Sequence, residues 1–260
     1  MHALVNIALR AARDAAEVIA RHSERLDRIR SIEVAPGQSI SSMERDAERS
    51  ILYHLQKAYP DYSIESRLSG SLPGKDTINT WIIDPLQGHH NANKGYGHFC
   101  VSIALKSGNR VNHAVVLNPL TREEFTASRG NGAQLNAGRL RGSSRDKLEA
   151  AFIGLDTCDE NPNERNTQLE LQKKLQALGC YVRASGSTAL DLVYAAAGKL
   201  DAGWCLQSEP CALPAAILVL QEAGALISDH TGNPGFTDSR ELIYGNPKCF
   251  KQMLQLRQSL

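Results

Sequence analysis

Asp84 stands at the end of the apolar run TWIID and is followed by the turn PLQGHH. A strand that ends this way presents a carboxylate at the mouth of a sheet, where it can serve as a hard-oxygen ligand for a cation. The turn after it carries an amide, Gln87, and two imidazoles, His89 and His90. Together with Asp84, the imidazoles have the composition of a site for a softer ion such as Zn²⁺ or Mn²⁺. The plainer reading is two loop histidines, one solvated and one bonded to backbone, because adjacent residues often point apart and no third acid is near in sequence. A second candidate is Gly186-Ser187-Thr188, which precedes a helical pattern. An anion can rest on backbone N–H groups at such a place, or Ser187 can act only as the helix N-cap.

The elements that must hold these residues are legible from periodicity. Residues 3 to about 29 carry Leu4, Ile7, Ala8, Ala11, Ala15, Val18 and Ile19 on one stripe and read as a single amphipathic helix. RSIEVAPGQSIS breaks it at Pro36 and Gly37, and a second helix runs from about Ser42 to Ala58, stopped by Pro60. From 62 to 130, short strands separated by Gly, Asn and Pro turns predict an antiparallel or mixed sheet, with a hairpin in RGNGAQLNAGRLR. Residues 141–150 read as a linker. The second half alternates: strands AAFIGLD, CYVRAS, DAGWCL and ALISD, with helices between them and a closing helix from about 247 to 257. The expected class is therefore α/β, a layered α+β arrangement. Its halves are 1–145 and 146–260, and they form one compact unit.

Composition excludes several functions. The chain has 260 residues, 42% of them hydrophobic and 22% charged, with a formal net charge of +1. That is an ordinary globular balance without a basic tail for nucleic acid or an acidic one. No apolar run approaches the ~20 residues of a membrane span, and the N-terminal helix lacks the apolar core and cleavage site of a signal peptide. Cys100, Cys158, Cys180, Cys205, Cys211 and Cys249 form neither a CxxC pair nor a zinc spacing. Reduced thiols and a cytoplasmic location are expected.

Three segments carry a family resemblance. WIIDPLQG resembles the W-x-[IV]-D-P-[IL]-D-G-T signature of the inositol monophosphatase family. GSTALDLVYAAAGKLDAGW and EPCALPAAILVLQEAGALISDHTG resemble its two later segments, in the right order and separation. The opening MHALVNIALRAARDAAEVIA and FTASRGNGAQLNAGRLRGS resemble its bacterial SuhB group. The resemblance implies an αβαβα sandwich, a homodimer, and Mg²⁺-assisted hydrolysis of phosphate monoesters by carboxylate-bound ions.

The same resemblance implies which acids are missing. The family's Glu-Glu pair falls on Arg67 and Leu68. The second Asp of the signature loop is Gln87, and its Thr positions are His89 and His90. The Asp of the late W-D pair is Ala212, preceded by Cys211. The Glu that often holds inositol hydroxyls is Cys205. Asp84 remains, an Asp near a third metal is conserved in character as Glu44, and the carbonyl of Leu86 is available. Asp191 and Asp201 match positions that support the fold.

Arg67 cannot in practice lose its proton, and it is expected to sit where a metal would, in a bidentate fork on Asp84. No cofactor is expected, or Mg²⁺ if activity persists. The favoured reading is a member without Mg²⁺-dependent turnover that binds partners. By the SuhB resemblance, the partner is a Nus-factor assembly on RNA polymerase in transcription antitermination. The alternatives are a weak Mg²⁺-dependent phosphatase acting on inositol 1-phosphate or a related sugar phosphate, and a metal-free sensor of anions.

Overall fold

A computed structural model describes residues 2–35, 38–156, 161–206, 211–235 and 239–260. Pro36, Gly37 and Cys158, named above, lie outside them. The first helix, α1 (Ala3–Ser23), buries a stripe rich in alanine, from Val5 to Ile19. These small side chains let it lie close along α2 (Ser42–Ala58). It stops short of residue 29 because the stripe ends at Ile19. The Ser23 hydroxyl then donates back to the Ile19 carbonyl, and Leu26–Arg28 tightens into a 3-10 turn. The segment read as a break is paired: β1 (Ser31–Ala35) and β2 (Gln38–Ser41) form an antiparallel ribbon.

Next come β3 (Tyr62–Ser66), β4 (Gly70–Leu72), β5 (Asp76–Gln87), the short α3 (His89–Asn93) and β6 (Cys100–Ser107). They are followed by β7 (Arg110–Asn118), β8 (Glu123–Ser128), β9 (Ala133–Leu135) and β10 (Gly138–Arg139). Among the described residues these strands make an eight-stranded sheet in the order β10-β9-β8-β7-β6-β5-β3-β4. It is mixed, because β3 runs parallel to β5 while the other pairs are antiparallel.

The second half supplies β11 (Phe152–Leu155), α4 (Pro162–Ala177), β12 (Tyr181–Arg183), α5 (Thr188–Ala196) and β13 (Ala202–Leu206). Then follow α6 (Pro214–Glu222), β14 (Leu226–Asp229), β15 (Glu241–Gly245) and α7 (Pro247–Gln258). The second sheet has the order β12-β11-β13-β15-β14. The alternation of strand and helix does not disclose β15, yet it is the antiparallel strand between β13 and β14, with Leu242, Ile243 and Tyr244 buried. Tyr244 explains two glycines. A Cβ on Gly203 would fall 2.3 Å from its ring and one on Gly154 2.4 Å from its hydroxyl.

Three apolar clusters define the layers. One joins α1 and α2 to one face of the large sheet through Trp81, Ile83 and Phe99. A second places α5 and α6 between the two sheets, touching Ile82 and Phe125 on one side and Tyr244 on the other. A third packs α4 and α7 on the far face of the small sheet around Trp204. The order is helix, sheet, helix, sheet, helix, a five-layered α/β sandwich.

Candidate functional site

The site lies where β5 leaves the sheet. Pro85 has no N–H for the ladder, and the β5–β6 register shifts between Asp84 and Gln87. The freed backbone folds over Asp84, so that Leu86 N donates to Asp84 Oδ1 at 3.1 Å. Gly88 then adopts φ +87°, and a Cβ there would come within 3.0 Å of both the His98 carbonyl and the Ser187 side chain. Only glycine satisfies both conditions.

Glu44 arrives from α2 by a local rule. Ser41 and Glu44 form a reciprocal capping box, with Glu44 N donating to Ser41 Oγ at 3.1 Å and Ser41 N to Glu44 Oε2 at 2.8 Å. This fixes one oxygen of Glu44 and leaves Oε1 directed at the site. Arg67 arrives from the turn between β3 and β4, which is clamped by Glu48. One Glu48 oxygen accepts from the Ser66 hydroxyl and from Ser69 N (3.0 Å), and the other from Ser69 Oγ at 2.7 Å.

Arg67 Nε donates to Asp84 Oδ1 at 2.8 Å, and Nη2 donates to Glu44 Oε1 at 2.7 Å and to the Leu86 carbonyl at 3.3 Å. The expected bidentate fork on Asp84 alone is therefore corrected. Among the described residues the guanidinium divides between two carboxylates and a carbonyl, because the capping box brings Glu44 alongside Asp84. The Asp84 and Glu44 side chains are only 1% and 3% exposed, so the three charges face one another away from water. Burial opposes the guanidinium's charge, but Asp84 and then Glu44 outweigh it and hold its pKa above the ordinary value. For Glu44, burial favours the neutral acid, and the bonds from Arg67 and Ser41 overcome it, leaving its pKa below the usual carboxylate range.

Mg²⁺ does not fit these residues as placed. It needs oxygens at about 2.0–2.1 Å converging on one point, whereas Asp84 Oδ1, Glu44 Oε1 and the Leu86 carbonyl already accept from Arg67 and Glu44 Oε2 from Ser41. A divalent ion about 4 Å from a guanidinium would be repelled by about 8 kcal/mol at an effective dielectric constant of about 20.

Leu68 lies half-buried in the same turn, with its N–H on Ser66 Oγ. Ala212 is buried in the middle helical layer, and Cys205 is buried there too, its thiol pushed up by that burial. Cys211 sits at the edge of this layer, its Sγ 3.7 Å from the Glu65 carbonyl. The soft-metal reading of Asp84, His89 and His90 is not supported. Among the described residues no group of three or more His, Cys, Asp or Glu is placed to hold a metal. His89 is half-buried and His90 exposed, their rings 4.1 Å apart. Burial pushes the His89 pKa down, and Arg67 and His90 add to this against the pull of Glu44 and Asp84.

The Gly186–Thr188 turn is occupied by its own bonds. Ser187 stands at the N-cap position but makes no capping bond. Its hydroxyl donates instead to Gln87 Oε1 at 2.5 Å. Thr188 Oγ1 donates to Asp156, and Gly186, at φ +76°, leaves room for Asn91, whose Nδ2 donates to the Ser185 and His98 carbonyls at 2.7 Å each. Asp191 joins His98 (2.8 Å) and Ser185 (2.5 Å), and Asp201 joins Ser143 (2.5 Å) to Phe152 N (2.8 Å). Both aspartates therefore tie loops together. Sequence reasoning missed Glu48, Asn91 and His98. Glu48 had a signal, since it lies one helical turn after Glu44 and so shares its face of α2. Asn91 and His98 carried none.

Comparison with known proteins agrees with this architecture. A family model described as the inositol monophosphatase family matches residues 1–260. The Nus factor SuhB of Pseudomonas aeruginosa is 42% identical over 260 residues, covering 98% of this chain and 95% of that protein. The Nus factor SuhB of Escherichia coli is 37% identical over 254 residues, with coverage of 98% and 95%. The crystal structure of the extragenic suppressor protein suhB from Bartonella henselae superposes with a TM-score of 0.92 at 31% identity, covering 99% of each chain.

Proposed function

Because the chain belongs to the inositol monophosphatase family, we propose that it is a SuhB-like member that acts by binding a partner and has set aside Mg²⁺-dependent hydrolysis. The observation that carries this reading is the Arg67 guanidinium on Asp84, Glu44 and the Leu86 carbonyl, the oxygens that a metal would use. No cofactor is then required. The partner follows from the relatives, which are named Nus factors: a cytoplasmic Nus-factor assembly on RNA polymerase, joined by a homodimer, in antitermination. The anion-sensor alternative draws no support from the site, because Arg67 is engaged by carboxylates and the Ser187 hydroxyl by Gln87.

The test is phosphate release from inositol 1-phosphate by the purified protein, titrated with Mg²⁺ and then Mn²⁺, beside pull-down of Nus factors and RNA polymerase. Turnover at background, with retention of the transcription partners, is the expected result. Metal-dependent turnover well above background would overturn the loss of chemistry, and failure to retain any Nus factor would overturn the partner.

A further inference from the structure

The geometry points to a cradle built for guanidinium: the oxygens of Glu44, Asp84 and Leu86 form a cation site whose resident ligand is the chain's own Arg67. This rests on the reading above and names what the altered site takes. Three observations carry it. First, the acceptors are spread over two nitrogens of one planar fork, at 2.7, 2.8 and 3.3 Å, so they match a flat N–H donor and not a point-like ion. Second, each carboxylate is independently held in that position: Glu44 Oε2 by the Ser41 N–H and hydroxyl, both at 2.8 Å, and Asp84 Oδ1 by Leu86 N. The cradle therefore persists when the cation is removed, and its oxygens are not free to collapse onto Mg²⁺. Third, the acceptors come from two elements, α2 and β5, and Arg67 itself comes from a third, the β3–β4 turn that Glu48 clamps. One cation cross-links all three, as a bound metal ion would, but without dissociating.

Chemical rescue tests this. Arg67→Ala should lower Tm by about 10 °C, the size expected when one partner of a buried ion pair is removed from a chain of this length. Millimolar guanidinium chloride, far below the denaturing range, should then raise the Tm of Arg67→Ala by several degrees while leaving the native protein unchanged. Equal concentrations of NaCl and MgCl₂ should not.

If Arg67→Ala fails to fold, the charge-free variant Glu44→Gln/Arg67→Met/Asp84→Asn decides. Folding with a near-native Tm and no response to guanidinium shows that the site requires charge balance, as inferred. Failure of that variant too would show that shape, not charge, was needed, and would overturn the inference. No guanidinium effect on a folded Arg67→Ala protein, or an equal effect of Mg²⁺, would also overturn it. Those outcomes leave the proposed function standing, since only turnover by the native protein or loss of its partners would sink that.

Discussion

At the residue scale, a single guanidinium decides what a carboxylate cluster can do. Two buried acids require a counter-charge, because a buried unpaired carboxylate is strongly disfavoured. A guanidinium supplies that charge permanently, whereas a metal supplies it only while bound. The pair should also make stability depend on acid. The Glu44 pKa is held below its ordinary value in the folded chain. Its contribution is therefore fully present above the unfolded-state carboxylate value and is lost as pH falls through the lower, folded value. Melting curves taken from neutral pH down to that region should show Tm falling more steeply in the native protein than in Glu44→Gln. Parallel slopes in the two proteins would refute this role for Glu44.

At the element scale, the bend after β5 is what directs Asp84, Gln87 and the Leu86 carbonyl into one place. Gly88 makes that bend through its positive φ and its close approach to His98 and Ser187. Gly88→Ala should destabilise the protein by about 2–3 kcal/mol, from backbone strain plus crowding, and urea unfolding would measure it. The same bend explains why local reading was uneven. The start of α2 was legible from periodicity, whereas the capping box that places Glu44, although written in four consecutive residues, was not read from the sequence. The β15 strand was not legible, since it follows β14 with no helix among the described residues between them, which breaks the alternation on which the second half was read.

At the scale of the whole molecule, α5 and α6 form a shared layer between the two sheets. Polar ties cross that boundary: Ser187 to Gln87, Asn91 to Ser185, His98 to Asp191, and Tyr194 and Lys199 to Glu123. Residues 1–145 and 146–260 are accordingly expected to unfold as one unit. Calorimetry should give one transition with equal calorimetric and van't Hoff enthalpies, and two resolved transitions would show independent halves.

By itself the sequence determined the family, the layered class and most of the helices and strands. These are written in local periodicity and in motifs of a few residues. Only the tertiary structure decided what Arg67 and Gln87 bind. Arg67 meets Asp84 across 17 positions and Glu44 across 23, and Gln87 meets Ser187 across 100. Such pairings are made by the packing of whole elements and leave no trace in local pattern. The sequence therefore named a cation beside Asp84, and among the described residues the fold set it between two carboxylates and a carbonyl.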